Sequence, residues 1–168
     1  MATETEFAAY FTARAASLRR LAYALCGDWH LAEDLVQTAF VRLYRHWKRA
    51  RAETLDAYTR TILVNAFLSH RRTHRRERVV AAVPDRPDAI GPDAAGAVDL
   101  GRALAGLPPR QRAIVVLRHL EDMSVADVAR LLNMAEGTVK SQNARGIESL
   151  RRALGVPSLT KESPCETT

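Results

Sequence analysis

Residues 120–154 read LEDMSVADVARLLNMAEGTVKSQNARGIESLRRAL, two amphipathic stretches joined by a short turn, the second ending in arginines. Two helices joined this way form a helix-turn-helix, whose second helix enters the major groove of duplex DNA. Ser124 stands where it caps the first helix, and Asp127, three residues on, is placed to answer the free backbone N–H groups of the first turn. Val125, Val128, Ala129 and Leu132 recur at helical spacing and give that helix one apolar side. Asn133 follows as the C-cap, because Asn tolerates a left-handed backbone, and Asn133-Met134-Ala135 makes the turn.

The second helix is expected from about Glu136 to about Leu154. Val139, Ile147, Leu150 and Leu154 share one arc, and Gly146 on that arc lets another backbone come close. Lys140, Ser141 and Arg145 lie away from it and suit a major groove, with Glu136 and Gln142 at the edges of the same surface. A carboxylate accepts from cytosine N4 and an amide pairs with adenine. Taken alone, the pattern also fits a helical hairpin with a solvated polar face.

The rest of the chain supports the DNA reading. It has 168 residues, 47% of them hydrophobic and 6% aromatic, with no long alternating β-branched runs, so an all-α protein follows. The formal charge of +6 comes mainly from arginine, whose fixed fork suits phosphate oxygens and guanine edges. No uninterrupted apolar segment is long enough to span a bilayer, and the opening MATETEF carries acids where a secretory signal carries bases, so membrane insertion is not expected. Cys26, in a helical pattern, and Cys165, in a polar tail, are poorly matched for a bridge and suit reduced thiols in a cytoplasm.

Two small helical domains joined by a flexible linker are expected. The first, residues 1–78, holds three helices. Phe7, Tyr10, Phe11, Leu18, Leu21, Ala22 and Leu25 mark one that ends at Gly27. Asp28 caps the next, whose stripe is Leu31, Leu35, Val36, Ala39, Phe40, Leu43 and Trp47. A third begins near Thr54 or Asp56 and uses Leu55, Tyr58, Ile62, Ala66 and Phe67. Residues 79–98, rich in Pro, Gly, Ala and Asp, read as the linker. The second domain, residues 99–155, starts with Leu100, Leu104 and Leu107, passes Pro108 at a new helix start, and continues through Ile114, Val115, Leu117 and Leu120 into the hairpin. Residues 156–168 have little to pack and read as a disordered tail.

Arg60, Arg71, Arg72, Arg75 and Arg76 occupy the side of the third helix left free by its apolar stripe. Over Asp56 to Arg76 the rise is about 30 Å, enough to follow several phosphates. Asn65 lies at the margin, where it can reach a base edge, and Tyr58 and Phe67 are either core rings or platforms for an unstacked base. The second helix instead presents Glu33, Asp34, Gln37 and Thr38, a surface unsuited to DNA and suited to a basic protein partner, or simply to solvent at a helix N-terminus. No Gly-rich phosphate loop, CxxC, HExxH or nucleophile–base arrangement occurs, and the five histidines are scattered; no catalytic residue, metal site or cofactor is expected.

These motifs resemble the sigma-70-type factors of the extracytoplasmic-function group over most of the chain, from Phe7 to Leu154. AEDLVQTAFVRLYRHW at Ala32 to Trp47 is similar to that family's region two helix for core binding, and AYTRTILVNAFLSHRR at Ala57 to Arg72 to the part that melts and reads the minus-ten element. LPPRQRAIVVLRHLEDMSVADVA at Leu107 to Ala129 and EGTVKSQNARGIESLRRAL at Glu136 to Leu154 resemble region four. The resemblance implies a non-enzymatic promoter-specificity subunit, with RNA polymerase core, duplex and single-stranded promoter DNA, and an inhibitory anti-sigma factor as expected partners, working in the cytoplasm.

By position, the resemblance implies that Glu33, Asp34, Leu35 and Gln37 meet core polymerase. Arg60, Asn65, Ser69, His70, Arg71, Arg72, Arg75 and Arg76 would serve the minus-ten strand, and Glu136, Lys140, Ser141, Gln142 and Arg145 the minus-thirty-five duplex. Ala135 stands where the family often has a capping Ser, Asn143 where it commonly has Leu, and Val64 and Ser69 where the reading segment often has Arg and Asp. Two other readings stay open: a free-standing helix-turn-helix regulator with a dimerising first domain, and a module that binds protein only.

Overall fold

A computed structural model describes residues 4–49, 54–78 and 95–157, without side chains at 76–78 and 95–98. The linker stretch 79–94, Cys165 and most of the expected tail therefore lie outside the described residues. The architecture is all-α: α1 Glu4–Cys26, α2 Trp29–His46 with a 3-10 turn at Trp47–Arg49, α3 Leu55–Arg78, α4 Ala95–Ala105, α5 Pro109–His119, α6 Val125–Leu132 and α7 Glu136–Ala153.

The local signals act where the sequence puts them. α1 stops because Gly27 turns left-handed at φ +73°, with its N–H on the Tyr23 carbonyl. Asp28 then caps α2, one carboxylate oxygen accepting from the N–H groups of His30 at 2.7 Å and Leu31 at 3.2 Å. Ser124 caps α6 by accepting from the Asp127 N–H, and its hydroxyl donates back to the Asp127 carboxylate. That bond, with Arg130 beside it, holds the Asp127 carboxyl below the usual carboxylate range. Asn133 closes α6 at φ 52°, and Pro109 opens α5 at a position where its missing N–H costs nothing. Leu120 departs from expectation: it follows α5 and is exposed, because the chain leaves the helix there to form a turn in which Asp122 is left-handed.

The first unit packs α1, α2 and α3 together around Leu21, Leu25, Leu43, Leu63, Val64 and Phe67, all fully buried. Val64 thus belongs to the core and not to a reading surface. Rings close the far end, with Phe7 edge-on to Trp47 at 5.1 Å and Phe11 against Phe40 at 4.6 Å. Tyr10 reaches from α1 to the first turn of α3, where its hydroxyl donates to Asp56 and shares a hydrogen bond with the buried Thr59. Burial pushes this phenol up to about 12.

The second unit crosses α5 over α7 and rests α6 and α4 on α7 or its partner. Gly146 sits at the crossing: a Cβ there would lie 2.6 Å from a Val115 methyl. The two units also meet, α1 lying against α4 and α5 and α3 against α5 and α6, so their buried residues form one continuous core. Arg112 of α5 is the polar anchor of this seam. Only 3% exposed, it donates to the Leu25 carbonyl at the end of α1, to the Ala105 and Leu107 carbonyls of its own unit, and lies 5.9 Å from the Phe67 ring centroid. Desolvation, with the like charge of Arg71, lowers this guanidinium to about 10.

Candidate nucleic-acid interface

Of the α7 residues expected to face a groove, four are exposed and one is not. Glu136, Lys140, Ser141 and Arg145 are exposed on one side of the helix, opposite the buried Val139, Gly146 and Leu150. Gln142 does not join them: it is half-buried and its side-chain oxygen accepts from the Gln111 amide of α5 at 2.9 Å, which turns it toward the α5 crossing. Asn143, where the family commonly has Leu, is likewise half-buried and pairs at the surface with the exposed His119 at 3.1 Å. Ala135 leaves the helix start without a side-chain cap.

On α3 the single expected strip divides in two. Asn65, Ser69, Arg72 and Arg75 are exposed and run along one side of the helix. Arg60 and Arg71, eleven residues and three turns apart, share another edge, and both are only half-exposed. Arg60 is engaged: its Nε lies 2.7 Å from the Glu121 carboxylate, just beyond α5. His70 is half-exposed with its ring 4.2 Å from that of His74. Arg76 is in α3, and its side chain lies outside those described. Of the two aromatic alternatives, Phe67 is core and Tyr58 is 38% exposed.

Tyr58 borders a groove of about 450 Å³ lined by His46, Arg49, Thr54, Leu55, Ala57 and Thr61. Its walls come from the end of α2, the 3-10 turn and the start of α3. Its lining falls within one stretch of the chain, His46 to Thr61, and sequence reasoning missed it because no helical period marks a concave surface there.

On α2, Asp34 and Gln37 are exposed, whereas Glu33 pairs with Arg19 at 2.8 Å. Leu35 corrects the expected protein-facing set: at 4% exposure it is part of the core, because its place on the apolar stripe of α2 turns it inward. Val41 and Tyr44, 54% and 52% exposed, share the Asp34 and Gln37 side of the helix. Apolar residues at those otherwise polar positions were the available signal for them.

Among the described residues no cluster of His, Cys, Asp or Glu is placed to hold a metal ion, and no helix is long and apolar enough to cross a membrane. Cys26 is largely enclosed, and desolvation pushes its thiol up to about 11. An exposed basic helix face in one unit and a helix-turn-helix in the other are features of the class of DNA-binding proteins.

Known proteins narrow that class. Residues 10–77 match the family described as Sigma-70 region 2, and residues 97–150 match Sigma-70, region 4. The RNA polymerase sigma-E factor of Streptomyces coelicolor is 39% identical over 153 residues, 89% of this chain and 86% of the relative. The ECF sigma factor SigE of Mycolicibacterium smegmatis is 36% identical over 141 residues, 79% of this chain, which spans about half (55%) of that longer relative. The sigma factor RpoE of Bartonella quintana, solved in complex with the anti-sigma factor NepR, superposes with a TM-score of 0.79 at 29% identity, covering 91% of this chain and 99% of that one. The chain belongs to the sigma-70 family of RNA polymerase sigma factors, in its extracytoplasmic-function group. It directs RNA polymerase core to promoter elements and is not itself an enzyme.

Proposed function

We propose a division of labour among three surfaces. The exposed face of α7, with Glu136, Lys140, Ser141 and Arg145, enters the major groove of the minus-thirty-five duplex. Asn65, Ser69, Arg72 and Arg75 on α3 follow the minus-ten strand, with Arg60, His70 and Arg71 at the borders and Arg76 next along the helix, and the groove beside Tyr58 receives an extruded base. Asp34 and Gln37, with Val41 and Tyr44 beside them, dock on core polymerase. The observation that carries this reading is the placement of two basic faces on different units of one chain, one on α3 and one on α7.

An anti-sigma factor is part of the proposal, by likeness to the Bartonella quintana factor solved with one. It would act in the cytoplasm, where core polymerase and promoters are found. Reconstitution of the full chain with core polymerase and a promoter library tests the whole reading; a folded protein that supports no promoter-dependent initiation defeats it. Within that assay Asp34→Arg is expected to weaken core association while sparing upstream recognition. Arg145→Ala is expected to do the reverse, at about 1–3 kcal/mol for removal of a base-reading side chain. Equal effects of both on core affinity would contradict the assignment. Specific footprinting by the chain without core would favour a free-standing regulator instead.

A further inference from the structure

Two polar side chains that line the groove beside Tyr58 have already committed their protons. His46, at the end of α2, holds its Nδ1 3.0 Å from the Arg42 carbonyl oxygen. A carbonyl only accepts, so Nδ1 carries the single N–H of the neutral ring, and Nε2 is left as an acceptor. Thr61, on α3, spends its hydroxyl proton in the same way: it donates to the Ala57 carbonyl at 2.8 Å, which leaves Oγ1 with lone pairs to offer. In both cases the partner is the main chain four residues back in the same helix, so the helix itself fixes the choice.

The two acceptors stand on different walls of the groove, one on α2 and one on α3, and the His46 ring lies edge-on to Tyr58 with centroids 6.5 Å apart. The other polar groups there are less selective. Arg49 is an exposed cation suited to phosphate, and the Tyr58 hydroxyl can donate or accept. The bases differ at the position these acceptors would read. Adenine and cytosine carry an amine there, at N6 and N4, whereas guanine and thymine carry a carbonyl, at O6 and O4. An amine has a hydrogen for each acceptor. A carbonyl sets its oxygen against Nε2 and Oγ1 and leaves all of them without a donor wherever the base displaces water.

We propose that His46 and Thr61 are specificity-determining residues of this groove, and that they select an extruded base bearing an exocyclic amine, adenine or cytosine, over the keto bases guanine and thymine. This rests on the reading that the groove receives a base, and adds which base and which side chains choose it. Grip and choice are thereby separate: the arginines of α3 hold phosphates whatever the sequence, and two uncharged acceptors read the base.

The test uses the full chain and short fluorescently labelled homopolymers at low salt, read by anisotropy. Oligo(dA) is compared with oligo(dI), whose hypoxanthine puts a carbonyl in place of the adenine amine, and oligo(dC) with oligo(dT), so that ring size cancels within each pair. The amino strand of each pair is expected to bind about tenfold more tightly. His46→Phe keeps a ring against Tyr58 but removes the acceptor, and should bring both ratios close to one; Thr61→Val, of nearly the same shape, should lower both. Circular dichroism checks that each variant is folded. Tyr58→Ala reports separately on use of the groove. If Tyr58→Ala weakens binding while the wild type holds amino and keto strands alike, the selection is refuted and the base-receiving reading stands. A preference that persists unchanged in both His46→Phe and Thr61→Val also refutes it. If Tyr58→Ala leaves the affinity for every strand unchanged, the groove takes no base, and the reading fails together with the selection.

Discussion

Gly146 shows how one missing side chain sets a helix crossing. A Cβ there would meet the Val115 methyl at 2.6 Å and Gln111 Cγ at 3.2 Å, and Val115 is itself buried with nowhere to retreat. Gly146→Ala is expected to cost about 1–3 kcal/mol through overpacking, seen as a lower melting temperature and weaker duplex binding by the displaced α7. Two enclosed weak acids make the second expectation at this scale. Burial raises Cys26 from 9.0 to about 11 and Tyr10 from 10.0 to about 12. Both are essentially protonated in folded and unfolded chains below about pH 8, so their contribution to stability is intact there. Above it the unfolded chain ionises first, and stability falls as pH rises through the folded values. Thermal melts should decline from pH 9 to 12, and Cys26→Ala with Tyr10→Phe should flatten that decline. A thiol reagent should react with Cys26 slowly at pH 8, where almost no thiolate forms.

At the scale of elements, α3 is the part whose face matters most. Arg72 and Arg75 are exposed on it, and removing one phosphate-binding cation should lower the slope of log affinity against log salt by about 0.7 for a single strand. Arg72→Ala and Arg75→Ala should each show that reduction in salt titrations, whatever the oligonucleotide sequence. The helices themselves were readable because their signals are local: Gly27, Asp28, Ser124 and Asn133 act within a few residues of themselves, and the stripes of α1 and α2 follow the helical period. What was not readable is which side of a face a neighbour takes. Leu35 is the exception that periodicity does explain, since it sits on the apolar stripe of α2, but Gln142 lies next to exposed Ser141 yet turns to Gln111, and Arg60 looked as free as Arg72. Those two outcomes each depend on a residue dozens of positions away, which periodicity within one helix does not encode.

For the whole molecule, the two units share a core across which Arg112 reaches, and that has a thermodynamic signature. The wild-type chain is expected to unfold in a single calorimetric transition, and Arg112→Ala to separate it into two, one for each unit. A single unaltered transition in the variant would show that the apolar packing alone couples the units. The seam was invisible in the sequence: Arg112 sits among the apolar residues of α5 with no acidic partner nearby in the chain, and only the folded molecule sets the end of α1 against it. The choice of acceptors has its own consequence. Main-chain carbonyls neither take up protons near neutrality nor respond to oxidants. A clasp resting on them is deaf to the chemical weather inside a cell, so whatever unlatches it must arrive as heat or as another macromolecule with a better grip.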